Sequence, residues 1–219
     1  MAIITGSALG RFRNKVGNVV TAKWLNKNVA RIYVDQVSNP NTNKQKLVRA
    51  RFSAAVKMAA ACGTFLRTTA RSLARSLGMT IYGLFVKLNW ESISASSPDD
   101  VTIDFSSVVM TQGSIETVNT SAINWGTSQT GVISTTWSAQ TPNADCDDND
   151  EVYLCLFNPV TNKSVMSGLS TRSMLAASVN APTSFLGIDC HLYLAVVGKG
   201  ETTDGRVSDS VYLGHGEVQ

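Results

Sequence analysis

The apolar residues of this chain change period part-way along it, and that change limits the folds open to it. From Leu47 to Leu88 large apolar side chains recur every three or four positions, and beyond residue 98 they recur every second position. The first spacing lines one face of a helix and the second one face of a strand. Leu66, Leu73, Leu77, Ile81, Leu84 and Leu88 carry the helical pattern. Tyr153, Cys155 and Phe157, and then Leu192, Leu194 and Val196, carry the alternating one. Helices followed by a block of strands imply an α+β fold rather than an alternating parallel one.

Ahead of the helices, Val16–Val20 and Val29–Val34 are β-branched runs, and the intervening Lys23–Asn28 segment suits the tip of a β-hairpin. Ser38–Asn41 stops that element. Thr42 and Gln45 fit a capping box, so a helix is expected to run from there to Ala61, burying Leu47, Phe52, Ala55, Val56 and Ala59. After Gly63 a second, long helix is expected from Thr64 to Leu88. At 1.5 Å per residue it would exceed about 30 Å, with Gly78 and Gly83 as places for a kink. Arg67, Arg71 and Arg75 recur every fourth residue and form an edge away from the Leu73–Leu77 stripe. Ser92–Pro98 is small and polar, the best candidate linker. The regularly spaced short strands beyond it, with Trp137 as a core plug, suggest an antiparallel immunoglobulin-like β-sandwich. The expectation is thus an N-terminal β-hairpin plus two helices (one long) over residues 1–97, and a β-sandwich domain over residues 98–219.

Charge divides at the same place. Residues 1–97 hold fifteen Lys and Arg against Asp35 and Glu91, a formal +13, whereas residues 98–219 hold four against fourteen acids, a formal −10. The net +3 of the whole chain conceals this polarity. Such sorting points to modules with different surroundings, or to copies that meet basic end to acidic end.

Motifs for chemistry are sparse. Cys62, Cys146, Cys155 and Cys190 show no C-x-x-C spacing, so a zinc cluster has no support, and Cys155 and Cys190 read as small buried residues of strands. The two histidines, His191 in a strand and His215 in a Gly-flanked tail, come with no nucleophile-elbow pattern. The acidic tract Asp145–Glu151 lacks the register and central glycine of a calcium loop, and reads as a solvated loop or as a patch for a basic partner. Gly6 and Gly10 make no phosphate loop, and Lys15 lacks the following Ser or Thr. No enzymatic activity and no cofactor are expected. No apolar run approaches the roughly 20 residues of a membrane span, and the N-terminus lacks a secretory h-region, so a soluble, cytoplasmically made protein is expected.

The basic half carries the strongest candidates for a binding surface. Arg11, Arg13, Lys15, Lys23 and Lys27, interleaved with Phe12, Trp24 and Tyr33, have the residue types for phosphate contact and base stacking, and Arg67, Arg71 and Arg75 could follow a phosphate backbone. The same residues equally suit an acidic protein surface. No helix-turn-helix, RNP or zinc-finger signature accompanies them.

Gly10-Arg11-Phe12-Arg13-Asn14-Lys15-Val16-Gly17-Asn18-Val19-Val20, Trp24, Asn39-Pro40-Asn41-Thr42, Arg49-Ala50-Arg51-Phe52 and the closing Ser210-Val211-Tyr212-Leu213-Gly214 together resemble a family of uncharacterised proteins from Bacteroidota and their phages. The resemblance spans nearly the whole chain and transfers no catalytic residue. It implies a virion component of capsid, neck or tail that associates with other virion proteins or with copies of itself as an oligomer. Nucleic-acid binding through the basic half is the alternative.

Overall fold

The computed structural model describes residues 2–4, 14–24, 27–36, 39–126 and 131–219. The chain forms two compact units, Met1–Thr42 and Asn43–Gln219.

The first unit is a four-stranded antiparallel sheet of β1 (Ala2–Ile4), β2 (Asn14–Val16), β3 (Val19–Trp24) and β4 (Lys27–Ile32), in spatial order β1-β4-β3-β2. Gly17, at φ +56, opens the two-residue turn between β2 and β3, where a β-carbon would be strained. The expected hairpin is therefore present but subdivided. Lys23, Trp24, Lys27 and Asn28 are paired strand residues rather than a loop tip, with Lys23 opposite Asn28 and Trp24 opposite Lys27.

The second unit begins with four helices, α1 (Asn43–Ala61), α2 (Gly63–Thr69), α3 (Arg71–Ser76) and α4 (Ile81–Leu88). The single long second helix of the sequence reading is thus broken into three. Ala70 loosens the helix with φ −104 and ψ −1, and Gly78 ends α3 with φ +64. The Gly78 N–H donates to the Arg75 carbonyl at 3.0 Å and the Met79 N–H to the Ala74 carbonyl at 2.8 Å, the paired bonds of a Schellman stop. Thr80 then caps α4, its hydroxyl accepting the Gly83 N–H at 3.0 Å. Periodicity alone carries through such a stop, because Leu77 and Ile81 keep the four-residue interval on either side of it. In α1 the buried face is Ala55, Met58 and Ala59, continued by Cys62, while Phe52 is 53% exposed instead of buried.

Strands follow. β5 (Ile93–Ser97) and β6 (Asp100–Ile103) form a hairpin, so the expected linker at Ser92–Pro98 is a strand and its turn. The expected boundary at 97/98 lies in that turn, well inside the second unit, whereas the division by contacts falls at 42/43. The small residues Ser94, Ala95 and Ser96 hid an alternation anchored by the buried Ile93.

The remaining strands make two antiparallel sheets. β7 (Thr120–Asn124), β8 (Val132–Trp137) and β12 (Ala176–Asn180) form one, in order β12-β8-β7. The other contains β9 (Glu151–Asn158), β10 (Lys163–Met166), β13 (Asp189–Val197) and β14 (Val211–Glu217) in order β10-β9-β13-β14, with β11 (Ser170–Thr171) also on β9. Leu154, Leu156, Leu192, Leu194 and Val196 pack between the sheets with Ile133, Trp137 and Val179. Cys155, Phe157, Tyr193 and Ala195, on the reverse face of β9 and β13, pack with Met58, Phe65, Leu66 and Phe85 of the helices.

The unit is therefore α+β in three layers: helices, a large sheet and a small sheet. The two sheets expected at the C-terminal end are present, but the larger is covered on its outer face, unlike a free-standing sandwich. Burial on both faces explains the continuous apolar runs Val152–Phe157 and Leu192–Val197. Full burial of such a side chain contributes about 1.5–3 kcal/mol, and the large sheet holds one apolar cluster with the helices and a second with the small sheet.

Candidate functional site

Strand register decides which basic residues of the N-terminal sheet act together. Lys15 pairs with Val20, and Val20 pairs with Arg31 across the next ladder. Side chains paired across strands share a face, so Lys15 and Arg31 belong to one side of the sheet, with Lys27 four residues before Arg31 on that side. Lys23, three residues from Val20 along β3, faces the other way. Lys15 Nζ lies 3.6 Å from the Tyr33 ring centre, a cation–π contact that leaves the ammonium exposed. Arg31 was not singled out in the sequence because its role depends on ladder register. Arg11 and Arg13 lie outside the described residues.

Arg67, Arg71 and Arg75 belong to the second unit, on α2 and α3, so the basic residues of the sequence form two groups in two units. All three are exposed, and none makes an ion pair among the described residues. The +13 and −10 halves of the chain also do not coincide with the units. Residues 43–97 hold nine Lys and Arg against Glu91 and share a unit with all fourteen C-terminal acids. The helix layer is the basic part of that unit.

Beside α3 runs an open groove of about 460 Å³, lined by Ser72, Leu73 and Ser76 on the helix and by Gly113, Arg206 and Val207 opposite. Gly113 makes the far wall possible. A β-carbon there would lie 1.7 Å from the Val207 carbonyl oxygen, which instead accepts the Ser114 N–H at 2.8 Å. Arg206 offers little free charge to the groove. Its guanidinium donates to Ser114, to the Ala144 and Thr202 carbonyls, and to the Asp145 carboxylate. On a helix wheel Arg75 sits about 60° from Ser72, on the opposite side from Leu73, so the unpaired charge lies along the rim.

The acidic tract proves to be structural as well as exposed. Asp150 is fully buried. It accepts from the Thr203 hydroxyl, from the Lys199 N–H at 3.1 Å and the Asp147 N–H at 3.0 Å, and pairs with Arg172 at 3.4 Å. Burial opposes its charge, but these donors outweigh burial and hold the carboxyl below the usual carboxylate range. Arg172 also reaches the Glu116 carbonyl at 2.7 Å, and its own carbonyl accepts the Trp137 indole N–H at 2.9 Å. Asp145 holds Arg206, and Glu151 holds Lys199 at 3.8 Å. The tract therefore ties together the segments at Glu116, Arg172 and Lys199–Arg206, while Asp148 remains exposed. No set of three or more His, Cys, Asp and Glu side chains gathers as metal ligands among the described residues.

All four cysteines are buried as free thiols. Hydrogen bonding to Cys155, then burial, pushes the Cys62 thiol well up, and burial pushes Cys190 up to about 12. A raised pKa keeps the Cys62 and Cys190 thiols protonated, the opposite of thiolate activation. His215, expected in a tail, is a residue of β14 and stands directly opposite His191 of β13.

No curated protein and no solved structure matches the chain. Residues 10–214 match a family described as one of unknown function, DUF6266, and with nearly its whole length matched the chain belongs to that family.

Proposed function

We propose that this protein is a non-enzymatic structural component of a bacteriophage particle, in capsid, neck or tail, made in the bacterial host cytoplasm and working by assembly with other virion proteins and with copies of itself. The observation that carries the reading is an exposed apolar couple on the N-terminal sheet. Its described residues supply two buried side chains, Thr21 and Val29, and leave Val19 and Ile32, a directly paired couple, 40% and 76% exposed. Apolar side chains left exposed on a small sheet gain stability from a partner that covers them. The basic row of Lys15, Lys27 and Arg31, the unpaired Arg67, Arg71 and Arg75, and the acidic C-terminal part supply complementary charge. The resemblance to Bacteroidota phage proteins supports a particle as the setting.

Association measured by native mass spectrometry and light scattering tests this. Oligomers or partner complexes that weaken from 50 to 500 mM salt, and detection of the protein in purified particles, are the expected results. A monomer at low salt that is missing from particles overturns the reading. The exposed arginines favour one alternative, a nucleic-acid-binding protein. A linear fall of log affinity for DNA with log salt would support that alternative, and no binding at low salt would remove it.

A further inference from the structure

The chain has two histidines, and the fold places them face to face across one ladder. His191 of β13 pairs in register with His215 of β14, and their ring centres are 5.7 Å apart. Cationic side chains directly opposite one another would destabilise the sheet.

The surroundings orient both rings. His215 Nδ1 lies 2.9 Å from each carboxylate oxygen of Asp189. A carboxylate only accepts, so Nδ1 carries a proton, and in the neutral imidazole the lone pair is then on Nε2. His191 Nδ1 lies 2.9 Å from the Tyr212 hydroxyl, and its ring stacks on Phe105 with centres 4.0 Å apart. A register shift between Leu192 and Tyr193 makes Tyr212, rather than Leu213, the partner of Tyr193, which brings Tyr212 onto the face of the two histidines. Metal-binding imidazoles are held in this way, with one nitrogen fixed by a carboxylate or hydroxyl and the other left for the ion.

We propose that His191 and His215 form a cross-strand binding site for a divalent transition-metal ion of the zinc class, through their Nε2 atoms, with Asp189 and Tyr212 as positioning residues and water in the remaining positions. Zinc–imidazole bonds of 2.0–2.1 Å place each ring centre roughly 3.2 Å from the ion, and two such rings at a tetrahedral angle stand roughly 5.2 Å apart. The observed separation is close to that. Imidazole donors suit zinc, nickel, cobalt and copper rather than magnesium or calcium. The site requires nothing of the assembly proposed above.

The test uses the full-length chain without a polyhistidine tag. Calorimetric titration with Zn²⁺ is expected to show one ion per chain, with no heat from Mg²⁺. His191→Gln and His215→Gln should each remove binding, and Asp189→Asn should weaken it by about tenfold or more. Zinc titration of the unmutated protein followed by imidazole ¹⁵N resonances should shift both Nε2 signals, a readout that needs no variant to fold and separates imidazole from thiol ligation. Zinc binding that leaves both imidazole signals unmoved, retention of affinity in the folded double variant, or no binding at 100 µM Zn²⁺ would overturn the site.

Discussion

Asp150 and Arg172 form an ion pair at 3.4 Å with side chains only 0% and 2% exposed. The two residues leave different strands' ends and meet where the acidic tract turns into β9. Removing one partner of such a pair strands the other charge in the interior, which costs about 3–5 kcal/mol. Asp150→Ala should therefore lower the urea midpoint sharply, and Asp150→Ala combined with Arg172→Met should recover part of the loss. A double variant whose loss equals the sum of the losses in Asp150→Ala and Arg172→Met would show that the pair is not coupled.

The same carboxylate gives a pH dependence. Its folded-state pKa lies below the ordinary value of about 3.9, so its stabilising effect is complete above that value and is lost as pH falls through the folded pKa. Denaturant unfolding from pH 6 to pH 2 should show stability falling below about pH 4. In Asp150→Asn that part of the slope should disappear. An unchanged slope in the variant would assign the acid sensitivity elsewhere.

Gly113→Ala tests the groove. The added methyl has no room beside the Val207 carbonyl, and overpacking of this kind costs about 1–3 kcal/mol. Thermal unfolding should register the loss. Gly168→Ala, where a β-carbon meets nothing within 4 Å, should change little.

Replacing Arg67, Arg71 and Arg75 together by Gln should alter stability by less than about 0.5 kcal/mol, because exposed side chains without ion pairs contribute little to folding. Its effect should appear in association, as weaker binding and a shallower salt dependence. Unchanged association would move the binding surface to the N-terminal sheet.

A fragment spanning residues 43–219 should unfold cooperatively with nearly the stability of the whole chain, because the helix–sheet core lies within it. Residues 1–42 alone should show no cooperative transition, since Thr21 and Val29 are the buried side chains among the described residues and a small sheet with an exposed apolar couple is marginal in water. Circular dichroism with urea would check both.

The α+β class, the start of the helical segment and most of the C-terminal strands were legible because they depend on neighbours two to four residues apart. Alternation at Tyr153, Cys155 and Phe157 is a local fact, and so is the four-residue spacing of the arginines. The break at Gly78 was less legible, since a leucine stripe can continue across a helix stop. The strand at Ile93–Ser97 was missed because small polar residues carry a weak alternating signal. Phe52 is apolar and falls on the expected stripe, yet the packed face of α1 runs instead through Ala55, Met58 and Ala59.

Among the candidate residues, the sequence supplied the cations and their spacing but not their grouping. Lys15, Lys27 and Arg31 come together only through strand register, and Lys23 is turned away by the same register. Local conformation and the polarity of charge follow from side-chain periodicity and composition alone. The tertiary structure decided that Asp150 is buried against Arg172, Thr203 and the Lys199 backbone, that helices and sheets share a core, and that His215 faces His191. Those partners lie tens of residues apart, and chain folding brings them together through burial and hydrogen bonding that no short window of sequence records.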